Sequence, residues 1–143
     1  GNTEDYWTEP LKDEIEALKQ ARNTSALDAL MHENEPLFFQ GSKVGARLMR
    51  QLKSGGIRVD AEFDLHGMTA LEAERCLKQF LSEVYKENLH CVRLIHGKGF
   101  RSEAGPVLPN VVDKILRHQG RVLAFCSAPQ NQGGYGAVLV LIE

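Results

Sequence analysis

The sequence predicts an α/β domain over residues 57–143, preceded by an extension over residues 1–56. Strand-like apolar segments alternate with amphipathic helix patterns in the order β-α-β-α-β-β, and glycine or proline separates most of them. The content of 43% hydrophobic and 25% charged residues is typical of a soluble globular protein. Together these observations predict a two-layer sandwich, in which two helices cover a small mixed sheet of four strands.

A turn and a cap mark the first strand and the first helix. The strand containing Phe63 stops at Gly67, and Thr69-x-x-Glu72 is a capping box that begins a helix. Apolar residues at helical spacing continue this helix to about Glu87.

The second half of the domain adds another strand and helix, followed by two strands. Residues 91–95 form an apolar strand, Pro106 opens a helix, and Gly120 ends it. Residues 122–126 are a third strand. Residues 137–142 are continuously apolar, which predicts a central strand buried on both faces.

The extension divides into an acidic arm and a basic linker. Residues 1–35 contain two short apolar stripes, which predict a partly helical arm. Residues 36–56 are rich in glycine and predict a mostly irregular linker that has room for a short helix near Val44–Lys53. Between Pro36 and Val59 no residue is acidic, whereas five are basic: Lys43, Arg47, Arg50, Lys53 and Arg58. This stretch either attracts phosphate or is a solvated linker.

The composition gives indications of the cellular location of the protein and of its binding partners. No apolar run reaches the length of a membrane-spanning helix, and the polar, acidic start is unlike a signal peptide. Three separated cysteines without a CxxC pair predict reduced thiols and a cytoplasmic protein. The net charge of −2 gives no global indication of nucleic-acid binding. The chain begins at Gly1 rather than Met, so we interpret the sequence as trimmed.

Asp64 and His66 form the first candidate for chemistry. They lie two residues apart on a strand, so their side chains share one face, at the strand end where α/β sheets usually bind ligands. A carboxylate beside an imidazole fixes its tautomer and suits it to acid–base catalysis near neutral pH. The alternative is a hydrogen bond that only holds the end of the strand.

Two glycine-containing segments could bind an anion. In His96-Gly-Lys-Gly99 the glycines permit close approach of a ligand, their amides could face an anion, and Lys98 could hold a phosphate. Gly133-Gly-Tyr-Gly136 is a second flexible loop, whose Tyr135 could stack on a base or cap the sheet edge. Arg101 is a further candidate for anion binding, on the basis of its positive charge alone.

These motifs, taken in order, resemble the small MutS-related (Smr) domain over about residues 57–143. They are Phe-Asp-Leu-His-Gly-Met-Thr, Leu-Ile-His-Gly-Lys-Gly, and Gly-Gly-Tyr-Gly-Ala before a terminal strand. The resemblance implies a fold like the C-terminal domain of the third bacterial translation initiation factor. It also implies nuclease activity on DNA or RNA, since stand-alone bacterial members include mRNA endonucleases that act at ribosomes. Tyr135 departs from the family pattern, in which a smaller residue is commoner.

The resemblance gives an RNA endonuclease as the leading hypothesis. His66 would take a proton from a 2′-hydroxyl, Asp64 would orient it, and His96 or Lys98 would stabilise the phosphate. The predicted nucleic-acid-binding residues are Gly97, Lys98, Gly99, Arg101, Gly133, Gly134, Tyr135 and Gly136. One alternative is DNA nicking by a divalent metal held on Asp64, His66 and His96. The other is a module that binds structured nucleic acid without cutting it, with the arm docking on a ribosome; beyond the divalent metal, no cofactor is predicted.

Overall fold

The chain forms a five-stranded mixed sheet with helices on both faces. The computed structural model describes residues 36–98, 101–102 and 105–143. The strands of the described residues are β1 (Phe38–Gln40), β2 (Ala61–Asp64), β3 (Cys91–Ile95), β4 (Arg101–Ser102), β5 (Gly105–Pro106), β6 (Val122–Ser127) and β7 (Ala137–Ile142). Their helices are α1 (Ala46–Ser54), α2 (Ala70–Lys86) and α3 (Val107–Arg117), and two 3-10 turns lie at Gln130–Gln132 and Gly134–Gly136.

The sheet has the strand order β1-β6-β7-β3-β2. Strands β2 and β3 are parallel and are joined by α2, whereas the other neighbouring pairs are antiparallel. All six residues of β7 are buried, which confirms the prediction of a central strand covered on both faces. This order brings the end of β3 next to the start of β7.

Two apolar clusters hold the layers together, one on each face of the sheet. Helices α2 and α3 pack on one face through a cluster that includes Leu77, Leu81, Val112, Leu116 and Phe125. Helix α1 packs on the other face through a second cluster, which includes Met49, Leu52, Ala124 and Leu139. Helix α1 lies over β6 and β7. On the same face of the sheet, Glu62 and Asp64 of β2 are exposed, so this edge is open.

The segment predicted as a linker contributes a strand to the sheet and a helix that packs on one face of it. Strand β1 pairs with β6, with Phe39 opposite Phe125, so the sheet has five strands instead of the predicted four. Helix α1 adds a third layer to the predicted two, and it ends at Gly55 in a left-handed conformation with φ of +76°. The short helix predicted near Val44–Lys53 is thus confirmed, and the domain division at residue 57 stays a prediction.

Other expectations meet the structure in part. The small ribbon of β4 and β5 precedes α3, and Arg101 pairs with Pro106 in it. Pro106, which is predicted to open the helix, therefore lies in β5, and α3 begins one residue later. The predicted helices of the arm lie outside the described residues. No helix among the described residues is both long and apolar enough to cross a membrane.

Candidate active site

A strand, a turn and a helix cap hold Asp64 and His66. Strand β2 ends at Asp64, and the next residue, Leu65, is fully buried and anchors the turn. Gly67 adopts φ of +81°, a conformation that favours glycine. The predicted capping box then starts α2, since Thr69 accepts a hydrogen bond from the amide of Glu72 and the Glu72 carboxylate accepts one from the amide of Thr69.

Asp64 and His66 form an exposed carboxylate–imidazole pair. The Oδ1 atom of Asp64 lies 2.7 Å from Nδ1 of His66 and accepts a hydrogen bond of 3.0 Å from the His66 amide. These hydrogen bonds, the side-chain one first, lower the pKa of Asp64 below its usual value. An ionised carboxylate only accepts hydrogen bonds, so the hydrogen lies on Nδ1 of His66. In the neutral ring the free lone pair is therefore on Nε2, and the His66 side chain is 68% exposed.

The two predicted glycine segments lie side by side. The carbonyl oxygen of Gly136 accepts hydrogen bonds from the amides of His96, at 3.0 Å, and Gly97, at 2.9 Å. Gly133 has φ of +116°, and a Cβ added there would lie 2.7 Å from Cβ of Ala137. The late loop thus requires glycine at position 133, and it is fixed against the end of β3.

A cleft of about 390 Å³ lies between these segments. Its lining residues are Arg93, Ile95, Gly97, Lys98, Asn131, Gln132, Gly133, Gly136 and Ala137. Asp64 is the register partner of Ile95 on the neighbouring parallel strand, and adjacent strands lie about 4.8 Å apart. The carboxylate–imidazole pair therefore stands at the border of the cleft.

His96 lies inside the domain, whereas the side chains of Asp64 and His66 are exposed. It is 1% exposed, its Nδ1 lies 2.6 Å from the carbonyl oxygen of Gly97, and its Nε2 has no hydrogen-bond partner among the described residues. Burial lowers the pKa of its imidazole, which favours the neutral ring. A neutral, buried His96 is unsuited to face a phosphate, and the amide of Gly97 is already used by Gly136.

The remaining predicted residues differ in their exposure and in whether they line the cleft. The side chain of Lys98 lines the cleft, and no described carboxylate pairs with it. Tyr135 is 46% exposed, whereas its neighbour Gly134 is buried. Gly99 and the side chain of Arg101 lie outside the described part of the chain.

The structure adds Arg93 and Gln132, which the motifs do not include. Arg93 forms an ion pair with Glu62 on the open face of β2–β3, and its Nη1 donates to the carbonyl oxygen of Gln132 at 3.4 Å. The signal in the sequence is the single charge that interrupts the apolar strand of residues 91–95. Gln132 shows no such signal, because only the fold brings it to β3.

The described residues offer no preformed metal site. Across 36–98, 101–102 and 105–143, no group of three or more His, Cys, Asp or Glu side chains is placed to hold a metal ion. His96, the third ligand of the metal hypothesis, is buried away from solvent. These residues therefore do not fit the three-ligand site of the metal hypothesis.

The fold and the site define a small mixed α/β domain with an exposed carboxylate–imidazole pair beside a glycine-walled cleft that carries a lysine. The family model described as "Smr domain" matches residues 63–143, and the chain belongs to this family.

Known relatives share the fold and much of the length. The chain is 30% identical, over 138 residues, to the ribosome rescue factor SmrB of Aliivibrio fischeri, an alignment covering 93% of this chain and 75% of that protein. The structure of YdaL, a stand-alone small MutS-related protein from Escherichia coli, superposes with a TM-score of 0.67 and 26% identity, covering 78% of this chain and 86% of YdaL. The Smr domain of Thermus thermophilus MutS2 gives a TM-score of 0.51 and 36% identity over 58% of this chain and 98% of that domain.

Proposed function

We propose that this protein is a cytoplasmic endonuclease that cuts RNA by acid–base catalysis. The observation that carries the proposal is the Asp64–His66 pair, with its 2.7 Å contact and its exposed imidazole ring. A base with a lone pair open to solvent reaches a polymer that could not enter a closed pocket. The nearby cleft offers a place for the phosphate, because Lys98 lines it.

His66 acts as the general base in the proposed reaction. Its Nε2 takes the proton of a ribose 2′-hydroxyl while that oxygen attacks the adjacent phosphorus, and the bond from phosphorus to the 5′ oxygen breaks. The leaving 5′ oxygen takes a proton from water, and His66 later returns its own proton to water. The products are a 2′,3′-cyclic phosphate and a 5′-hydroxyl end. Asp64 keeps the hydrogen on Nδ1 and stabilises the imidazolium that forms.

Lys98 stabilises the negative charge that grows on the phosphate. General acid–base action contributes roughly 10²–10⁴-fold, so positioning and charge stabilisation must supply the rest. His96 is a positioning residue in this proposal. Its hydrogen bond to the Gly97 carbonyl holds the backbone that presents Lys98 to the cleft.

The names of similar proteins suggest where in the cell this protein would encounter its RNA substrate. The similar Aliivibrio fischeri protein is named a ribosome rescue factor, which supports messenger RNA at ribosomes as the substrate. Residues 1–35 would contact the ribosome in this proposal. Their acidic and apolar composition suits a protein partner better than RNA.

Mapping of product ends tests the proposed function. Labelled RNA and DNA of the same sequence are incubated with the full chain, with and without a chelator. We expect cleavage of RNA alone, unaffected by the chelator, with cyclic phosphate and 5′-hydroxyl ends. DNA nicking that stops on chelation would favour the metal-dependent alternative instead, and binding without any cleavage would favour the non-catalytic module.

A further inference from the structure

Helix α1 carries three basic side chains on its outer surface. Arg47, Arg50 and Lys53 follow one another at intervals of three residues and are exposed, while Met49 and Leu52 face the core. The helix contains no acidic residue. Lys53 lies in the last turn, where a cation favours the helix dipole. Arg47 and Arg50 have no such position, and like charges three residues apart weaken a helix slightly, so helix stability does not explain the whole set.

Neighbouring cations are neutralised, but these three are not. Lys43 lies 3.0 Å from the carboxylate of Glu143, and Arg58 lies 3.0 Å from that of Asp60. In the part of the chain that the structure describes, no carboxylate forms an ion pair with the three cations of α1. Their charge is therefore available to a ligand.

The cationic face of α1 continues from the cleft. The side-chain amide of Gln132, which lines the cleft, donates to the carbonyl oxygen of Gly55 at 3.3 Å, and Lys53 lies two residues before Gly55. At the other end of α1, Lys43 is tied to the end of β7 through Glu143. The helix thus runs from the far end of the sheet to the cleft, on the same face as Arg93.

An exposed aromatic ring lies beside this helix. Phe38 on the edge strand β1 is 44% exposed, and Nζ of Lys53 lies 5.4 Å from its ring centre. Cations beside an exposed aromatic ring are a combination that binds single-stranded nucleic acid, because phosphates pair with the cations and bases stack on the ring.

We propose that the outer face of α1 binds the phosphate backbone of single-stranded RNA that extends out of the cleft, with a base stacked on Phe38. Arg47 and Lys53 are separated by about 9 Å along the helix axis, so the face spans more than one phosphate. The proposal rests on the proposed function for the cleft, and it adds a second binding surface remote from the reacting bond.

Salt-dependent binding tests the surface. Anisotropy is measured for labelled single-stranded RNAs of 4 and 12 nucleotides, with the wild type and the triple variant R47Q/R50Q/K53Q. Each lost phosphate contact lowers the slope of log affinity against log salt by about 0.7, so the slope for the 12-mer should fall by about 2. A fourfold rise in salt should then weaken the wild type about 20-fold more than the variant. The 4-mer, which is too short to occupy the cleft and the whole outer face of α1 together, should show a smaller difference.

Matched variants distinguish binding at this surface from a general effect of the net charge of the protein. The triple variant R75Q/K78Q/K86Q removes the same charge from α2, on the opposite face, and should keep the wild-type slope. The double variant R47K/R50K keeps the charge and should also keep it. Phe38→Leu should weaken 12-mer binding about 5- to 100-fold through lost stacking, with little change in the salt slope.

Three results would overturn the proposal. They are equal slopes for the two triple variants, equal losses for the 4-mer and the 12-mer, and a double-stranded DNA that binds with the same affinity and sensitivity to the variants. Cleavage is read separately. A wild-type protein that shows the predicted slopes but leaves RNA uncut would contradict the proposed function while supporting the binding surface.

Discussion

Substitution of Asp64 and His66, singly and together, examines whether the pair acts as one unit. Asp64→Ala removes the acceptor that lies 2.7 Å from Nδ1 of His66. A hydrogen bond to a charged group contributes about 1.5–3 kcal/mol. Because the Asp64 side chain is 48% exposed, water replaces part of the interaction, and we take the lower end of this range. The expected loss of cleavage rate is about 10- to 30-fold.

The double variant gives the decisive comparison. His66→Ala removes the base itself and should cost about 10²–10⁴-fold. If Asp64 acts only through His66, adding Asp64→Ala to His66→Ala costs nothing further, because effects within one unit are not additive. The assay is single-turnover cleavage of a defined RNA at pH 7.5, with urea unfolding of each variant to verify the fold. Losses that multiply in the double variant would refute the reasoning, since Asp64 would then act independently of His66.

Three further predictions concern the cleft and its walls. Lys98→Gln should lower kcat/KM about 10- to 100-fold by removing a charge from the phosphate, and Lys98→Arg should restore most of it; full activity in the Gln variant would remove Lys98 from the mechanism. Gly133→Ala should lower the free energy of unfolding by about 1–3 kcal/mol in urea, because φ is +116° and the new Cβ would lie 2.7 Å from Cβ of Ala137, whereas Gly120→Ala, with open space around it, should change it by less than about 0.5 kcal/mol; equal effects would contradict the strained loop. The pKa of His96 is lowered by burial, so its contribution to stability is complete above the unfolded pKa of about 6.5 and is lost as the pH falls below it, by at most about 1.4 kcal/mol per pH unit. His96→Asn should remove that part of the slope in urea unfolding between pH 6.5 and 5, and an unchanged slope would show that His96 is not its source.

Locally encoded elements could be predicted from the sequence. The capping box at Thr69 and Glu72 starts α2 through bonds between residues three apart, so the pattern itself contains the contact. The uninterrupted apolar run of β7 predicts its central position for the same reason, since a strand without polar alternation needs cover on both faces. The pairing of Asp64 with His66 is equally local.

Non-local contacts account for what could not be predicted. Strand β1 has only three residues, and its sequence does not alternate between apolar and polar residues. Its strand character depends on pairing with β6, far along the chain. The placement of the late glycine loop beside His96 depends on the strand order, which brings β7 next to β3. The spacing of residues in the sequence predicts neither the pairing of β1 with β6 nor the proximity of the glycine loop to His96.

The burial of His96 was within reach of the sequence. Along β3, Val92 and Leu94 point to the face covered by α2 and α3, and strand alternation places His96 on that same face. The adjacent glycines favour a surface role. The alternation instead predicts a core histidine, which agrees with its 1% exposure.

A single 2′-deoxy substitution tests the central claim most directly. An RNA that lacks one 2′-hydroxyl, at the mapped cleavage site, is compared with one that lacks the 2′-hydroxyl two nucleotides away. If His66 activates the 2′-hydroxyl as the nucleophile, the first RNA stays intact at that site and the second is cut at the normal rate. Cleavage of both at the same position and rate would contradict the account, because water would then be the nucleophile.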